Sequence, residues 1–138
     1  MASFNKYQKG VEALVEGINA GSDAWKVALS NRTPVVASDA TLTDAVEISA
    51  GNGYTAGGNA ATTASSSQTG GTYKLVLNSP ATWTATGGSI GPFEYAILYD
   101  STTNNLIGYW DYGSAVTLAT GESFSVVLDG TSGVFTVA

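Results

Sequence analysis

The amino-acid sequence predicts a mainly β protein: an antiparallel β-sandwich or jelly roll of about eight strands with one N-terminal helix, in a single domain over residues 1–138. A chain of 138 residues matches one domain of ordinary size. From Ala24 onward apolar and polar residues alternate, and turn formers separate runs of β-branched and aromatic residues, which is typical of strands. The strands are short and no second helical pattern interrupts them, so antiparallel pairing is favoured over βαβ units.

The first 21 residues differ from the rest because their apolar positions recur every three or four residues, which indicates a helix. Those positions are Phe4, Tyr7, Val11, Leu14, Val15 and Ile18. Ser3 is placed to cap the start of this helix, and Gly21 to end it. We expect residues 1–21 to form a helix packed on a sheet or on a neighbouring subunit, with an extended arm as the alternative.

The strand pattern predicts the residue pairing of one hairpin. Strands are expected at about 24–30, 46–49, 72–78, 81–85, 93–100, 106–112, 115–118 with 123–128, and 133–137. The turn-forming run 101–104 joins two of them. The expected register pairs Tyr99 with Leu106, Ile97 with Gly108, Tyr95 with Trp110, Phe93 with Tyr112, and Glu94 with Asp111. It creates a strongly aromatic face, which is interpreted either as core or as an interface or sugar platform.

The stretch 49–71 is a long Gly/Ala/Ser/Thr-rich segment with no charge, one aromatic residue, Tyr54, and no apolar periodicity. Such a segment cannot bury a core of its own, and loops of this length are usually functional or disordered. We expect either an arm that becomes ordered on a partner or another subunit, or a mobile loop.

Composition excludes several functional classes. The chain has neither cysteine nor histidine, which rules out disulfides, thiolate or imidazole metal sites and Ser-His or Cys-His nucleophile pairs. Its net charge is −6, and no basic residue follows Lys74. Nucleic acids and acidic membrane surfaces are therefore not expected as partners. Glu12 and Glu16 interrupt the segment that a secretion signal would need to be apolar, and no membrane span is expected.

The remaining acid-base candidates are carboxylates. The expected register opposes Glu94 and Asp111, a pair that is interpreted as solvated rather than catalytic, because no cleft is predicted around it. Asp100, Thr102, Asn104 and Asp111 have the spacing of a calcium-binding loop. Asn105 stands where that loop needs glycine, and the flanking segments read as strands. The sequence therefore predicts no enzyme, and no catalytic, cofactor-binding or metal site.

Aromatic side chains are the other candidates for recognition. Trp25, Trp83, Tyr109, Trp110 and Tyr112 are of the types that form sugar-stacking platforms. Tyr and Trp are equally frequent in protein interfaces and in cores. The sequence alone leaves these readings open.

Five segments together resemble a family of small virion proteins of tailed bacteriophages. They are KVALS at 26–30, EISAGNGYTAGG at 47–58, TYKLVL at 72–77, GGSIGPF at 87–93 and LIGYWDYG at 106–113. The likeness spans most of the chain from Lys26 to Val126. Within that family it is most similar to capsid cement, or head decoration, proteins.

The resemblance implies a non-enzymatic protein assembled in the host cytoplasm and carried on the outer surface of the virion head. It implies binding to the major capsid protein and to itself, as a homodimer or homotrimer, so that neighbouring capsid subunits are clamped. Candidate contacts are Tyr54, Trp83, Trp110 and Tyr112. A carbohydrate-binding or adhesin module of the virion, with Trp83 or Trp110 exposed, and a neck or tail component are the alternatives.

Overall fold

The computed structural model describes residues 2–138 and is mainly β, as the sequence predicts. Its elements are β1 (Phe4–Lys6), α1 (Gln8–Glu16), β2 (Trp25–Ser30), α2 (Leu42–Ala45), β3 (Asn59–Ala60), β4 (Thr63–Thr69), β5 (Thr72–Leu77), β6 (Trp83–Thr84), β7 (Ile90–Asp100), β8 (Leu106–Leu118), β9 (Ser123–Phe124) and β10 (Phe135–Val137). Every strand pair is antiparallel.

The strands form three sheets that enclose one main core. A five-stranded sheet has the order β1-β8-β7-β2-β3, a three-stranded sheet the order β10-β5-β4, and β6 pairs with β9. The large sheet contributes Trp25, Leu29, Leu98 and Trp110 to the core, while β5 contributes Leu75 and Leu77, and β6 contributes Trp83. Apolar faces of opposed sheets packed in this way are the arrangement of a β-sandwich.

The outer face of the large sheet is also covered. Tyr95, Ile97, Tyr99 and Leu106 pack there with Tyr7, Ala28 and Ala45. Residues 31–46, which follow β2 and are called the covering segment here, contribute Leu42 and Ala45 to this face. They include α2 and an ion pair of 2.7 Å between Arg32 and Asp39. Residues 95 to 100 of β7 are therefore buried without interruption, because a central strand covered on both faces needs no polar side.

The N-terminal segment differs from the predicted helix. Residues 4–6 form β1, which pairs with β8, and α1 begins after Tyr7, which makes no side-chain capping bond. Ser3 therefore does not cap the helix, and Gly17 rather than Gly21 follows its end. Pairing with the open edge of β8 satisfies the backbone of residues 4–6, which explains why a helical spacing of apolar residues does not produce a helix there.

A bulge corrects the predicted hairpin register. Tyr99 opposes Leu106 as expected, but Leu98 opposes Gly108, which leaves Ile107 as an extra residue. A slip of one residue moves every later side chain to the other face. Tyr109 therefore joins Tyr95 beneath the covering segment, while Trp110 enters the main core. The predicted single aromatic face is split between two faces, and Asp111 opposes Tyr95 instead of Glu94.

Two other segments differ from expectation. Residues 46–49 contribute one isolated bridge, between Ser30 and Glu47, rather than a strand. The stretch 49–71 is not a structureless loop, since it contains β3 and β4. β3 extends the large sheet beside β2, and β4 pairs with β5. Pairing of backbone groups thus helps to order a segment whose side chains are mostly small.

Candidate interaction surface

One buried side chain fixes the first half of the 49–71 stretch. Tyr54 is 2% exposed and packs in the main core. Its hydroxyl donates a 2.7 Å hydrogen bond to Glu47 Oε2 and accepts one of 3.1 Å from the backbone N–H of Leu29. Burial, with the bond to Glu47, raises the pKa of Tyr54 well above its ordinary value. This residue ties the stretch to β2.

Two glycines let the same half approach the sheet closely. Gly57 donates its backbone N–H to Glu47 at 2.8 Å and accepts a 2.7 Å bond from the hydroxyl of Tyr99. Gly58 has a φ of 79°, and a Cβ there would overlap the backbone carbonyl oxygen of Val27. Only glycine satisfies both conditions, which explains the Gly-Gly pair ahead of β3.

The second half forms an exposed hairpin. Thr69 opposes Thr72 across Gly70 and Gly71, whose φ angles are 59° and 86°. Two positive φ values in a two-residue connection are typical of a type I′ turn. All seven residues of β4 are exposed. Because neither side of β4 is buried, its sequence carries no alternation of apolar and polar residues, and that is why the sequence analysis missed the strand.

β4 is the longest strand that ends a sheet. It has one neighbour, β5, whereas the other terminal strands of the two larger sheets, β1, β3 and β10, are two or three residues long. Edge strands are normally protected by charge, proline, shortness or bulges. Thr63–Thr69 contains no charged residue and no proline, and its one irregularity lies near its start, between Thr63 and Ser65. We name this surface, residues 63–69, the β4 edge.

A signal for the β4 edge was present in the sequence. The Gly70-Gly71 pair lies directly before the predicted strand that begins at Thr72. A Gly-Gly pair next to a strand is a hairpin signal, which implies a second strand on the other side of the turn. Reading that signal before the apolar pattern would have found β4.

The four predicted contact residues occupy different environments. Tyr54 and Trp83 are 2% and 1% exposed, and Trp110 is 8% exposed. A partner would reach the first two only if the fold opened. Tyr112 is half-buried and packs edge-on against Phe124, with 5.1 Å between ring centroids.

Trp110 and Tyr112 line a shallow surface hollow of about 580 Å³. The hollow is mostly apolar, and its other walls include Val126 and Val127. Asp111 lies at this site, but its Oδ1 accepts the backbone N–H of Gly113 at 2.8 Å. Because Trp83 and Trp110 are both buried, neither offers an open ring face on which a sugar could stack.

The acidic candidates are also dispersed. Asp111 lies within β8 opposite Tyr95, so it is not part of the turn that holds Asp100. Within the turn, Asp100 Oδ1 accepts the backbone N–H groups of Thr102 and Thr103 at 2.8 and 3.3 Å. Within residues 2–138, no group of three or more acidic side chains is placed to hold a metal ion. The calcium-loop spacing in the sequence therefore does not correspond to a binding loop.

Comparison with known proteins adds no relative. No protein-family model matches the chain, and searches of curated proteins and of solved structures find no similar protein. Over residues 2–138, none of the helices has the length and apolar character needed to cross a bilayer. The β4 edge is the surface on which a functional argument can be built.

Proposed function

We propose that this chain is a non-enzymatic structural virion protein of a tailed phage, which binds the outside of the head and stabilises it by clamping neighbouring major capsid subunits. The proposal starts from the sequence resemblance to capsid cement proteins. The observation that carries it is the β4 edge, an exposed seven-residue strand with one neighbour and no charge. An extended segment of a capsid subunit would pair with this edge and add a strand to the sheet.

Strand addition suits the chemistry of the β4 edge. Its side chains are small and mostly hydroxyl-bearing, so a partner strand can approach the backbone without a steric or electrostatic penalty. Main-chain hydrogen bonds then supply affinity. The chain as a whole carries a charge of −6, which favours solubility of free copies. Because the net negative charge makes copies of the protein repel one another, docking is directed to the uncharged β4 edge.

A capsid lattice turns such modest contacts into a mechanical effect. One added strand forms a small interface, and small interfaces bind weakly. A homodimer or homotrimer would present two or three β4 edges to a repeating surface, and the second contact would then form at high effective concentration. Hundreds of such clamps would oppose expansion of the shell.

The proposal is tested with two adjacent proline substitutions, Ser66→Pro and Ser67→Pro. Backbone N–H groups of successive strand residues point to opposite sides of the strand. One proline therefore removes an N–H bonded to β5 and lowers stability, while the other removes an N–H that faces the open edge. Thermal unfolding identifies which is which, and each variant is the matched control for the other.

Binding is measured by cosedimentation with purified heads that lack the protein. We expect saturable binding of hundreds of wild-type copies per shell and a higher temperature of shell rupture. The proline variant that keeps wild-type stability should lose both effects. Full binding by that variant would exclude the β4 edge as the docking site. If the wild type does not bind, the head is excluded as the partner.

Copy number separates the alternatives that the sequence leaves open. A dozen copies or fewer per particle would place the protein at the neck or tail. Binding of oligosaccharides, read from tryptophan fluorescence, would favour an adhesin module. The burial of Trp83 and Trp110 gives that module no platform at these two positions.

A further inference from the structure

An apolar groove lies between the N-terminal segment and β10, and we name it the α1 groove. It has a volume of about 270 Å³, and its walls include Phe4, Val11 and Leu14 from the N-terminal segment and Phe135 and Val137 from β10. Val11 and Val137 are each about half exposed. Contiguous apolar surface that stays open to solvent commonly marks an interaction site.

Close packing of α1 on the sheet creates one wall of this groove. Gly10 is buried, and a Cβ there would lie 2.5 Å from the backbone carbonyl oxygen of Leu106. The lack of a side chain therefore lets α1 lie directly on β8. Leu14 packs against the main core, while Val11 is left at the border of the groove.

Val15 is an apolar side chain beside the α1 groove that the fold leaves uncovered. It is 85% exposed, the largest value among the exposed large hydrophobic side chains of residues 2–138. It follows Val11 by four residues, so both lie on the same side of α1. With Val137, three of the six exposed large hydrophobic side chains of the described chain are thus in one place.

The charges around the groove and around Val15 are opposite in sign. Lys6 is the one charged residue in the described walls of the groove. Glu12 and Glu16 flank Val15 on α1, and all three charged residues are exposed. Among residues 2–138 the ion pairs join Lys9 with Glu12 and Arg32 with Asp39, so Lys6 and Glu16 belong to neither. The groove therefore fits a partner that presents an apolar side chain next to carboxylates.

We propose that a second copy of this chain is that partner. Val15 of each copy enters the α1 groove of the other, and Lys6 of each copy faces the acidic pair, Glu12 and Glu16, of the other. Because Val11 borders the groove and Val15 lies one turn away, the groove and the inserting side chain face nearly the same direction. A two-fold axis makes both contacts at once, whereas a ring needs two different sides of the molecule.

The distribution of charge favours this surface for contact between copies. Residues 1–21 contain two basic and two acidic residues, so the net charge of −6 belongs entirely to the rest of the chain. Copies that approach through other surfaces repel one another. The N-terminal segment is therefore the region where two copies meet with the least repulsion.

The role of this dimer rests on the proposed function, because two joined copies would present two β4 edges to a capsid lattice. Its existence is measured without heads. The interface is small, so we expect a weak dimer with a dissociation constant on the order of 10 to 100 µM. Such an affinity leaves free copies monomeric when dilute and paired when a lattice concentrates them.

The test is sedimentation equilibrium of the full chain at concentrations from about 1 µM to 1 mM, which span the expected constant. Val15→Lys should raise the dissociation constant at least about tenfold, because an ammonium group would enter an apolar groove. The matched control is Val46→Lys, since Val46 is also about half exposed but lines a different cleft. Lys6→Glu should raise the constant roughly twofold to fivefold.

Thermal unfolding excludes misfolding as the cause. Lysine favours the helix more than valine does and suits the last turn of α1, so Val15→Lys should keep wild-type stability or exceed it. A wild type that stays monomeric up to 1 mM would overturn the proposal. Equal dissociation constants for the wild type and Val15→Lys would place the contact elsewhere and overturn it too. An unchanged constant in Lys6→Glu would contradict the proposed position of the partner helix.

Cosedimentation with purified heads separates this inference from the proposed function. Val15→Lys should bind heads with lower apparent affinity than the wild type, because each copy keeps its β4 edge but loses the second contact. A wild type that forms the dimer and does not bind heads would refute the proposed function alone. A monomeric wild type that binds heads would refute the dimer alone.

Discussion

The two halves of the 49–71 stretch are both uncharged and rich in small residues, but they are attached to the rest of the protein in different ways. Residues 49–58 are drawn against the large sheet by Tyr54, whereas residues 63–69 lie fully exposed. The difference is one aromatic side chain and a partner, Glu47, that satisfies its hydroxyl. A single buried anchor therefore holds the first half against the core, whereas the second half is held by its pairing with β5. The exposed half is left free for a partner strand.

The largest expected effect comes from removing that anchor. Tyr54→Ala should lower the free energy of unfolding by about 3 to 5 kcal/mol, because it leaves a large cavity in the core. It also removes the partner of Glu47 and of the Leu29 N–H. The measurement is urea-induced unfolding followed by tryptophan fluorescence. An unchanged midpoint would mean that the first half is held by its backbone alone.

The anchor also makes a deletion of residues 52–70 a poor test of docking. That deletion would remove Tyr54, β3 and the whole of β4 together, so loss of binding would follow from loss of the fold. Substitutions confined to the β4 edge keep the anchor in place.

A second prediction compares the stability lost when a glycine of each half is replaced by alanine. Gly58→Ala should cost about 2 to 4 kcal/mol, from positive-φ strain together with overlap on Val27. Gly70→Ala has the same kind of φ but nothing within 4 Å of the added Cβ, so it should cost only about 1 kcal/mol. Urea unfolding of the two variants gives the comparison. Equal losses would show that strain alone, and not close approach, governs both positions.

Much of the fold was predictable because buried strands leave a pattern. β2, β5 and β7 combine apolar residues with turn signals at their ends, and the structure confirms the mainly β sandwich. The hairpin register was not predictable, because the extra residue at Ile107 depends on which side of the sheet accommodates Tyr109 and Trp110. That choice is made by packing partners distant in sequence.

The candidate interaction surface was less predictable than the fold. The anchoring of Tyr54 requires Leu29 and Glu47, and their proximity follows from sheet topology. β4 lacks the apolar alternation on which strand prediction depends. Of the predicted contacts, Trp83 resembles an interface residue in type but lies in the core, because a large aromatic ring serves either purpose.

A third prediction concerns alkaline pH and the hydroxyl of Tyr54. An unfolded chain ionises its tyrosines near pH 10, whereas burial raises the pKa of Tyr54 in the folded state. The folded state therefore binds more protons above about pH 10, and the free energy of unfolding falls as the pH rises further. Tyr54→Phe should reduce this fall by up to about 1.4 kcal/mol per pH unit.

Urea unfolding at several pH values between 8 and 11 measures that slope. Tyr99→Phe should act in the same direction, because burial raises the pKa of Tyr99 to about 12. Its hydroxyl bonds Gly57 in the same anchored half. Identical slopes in the wild type and in Tyr54→Phe would contradict the buried position of the Tyr54 hydroxyl.

The smallest expected effect is a gain in stability from a substitution in the exposed half. Ser67 opposes Lys74 across β4 and β5, so Ser67→Asp should create a cross-strand ion pair that stabilises the fold by about 0.2 to 1 kcal/mol. The gain should shrink in high salt, since exposed pairs are screened. Ser65→Asp is the control, because it opposes the apolar Val76. Urea unfolding at low and high salt measures the stability of both variants. Equal changes in Ser67→Asp and Ser65→Asp would refute the ion pair with Lys74. If Ser67→Asp does not lower the free energy of unfolding, folding does not require the β4 edge to be uncharged. The lack of charge would then fit a requirement of strand docking.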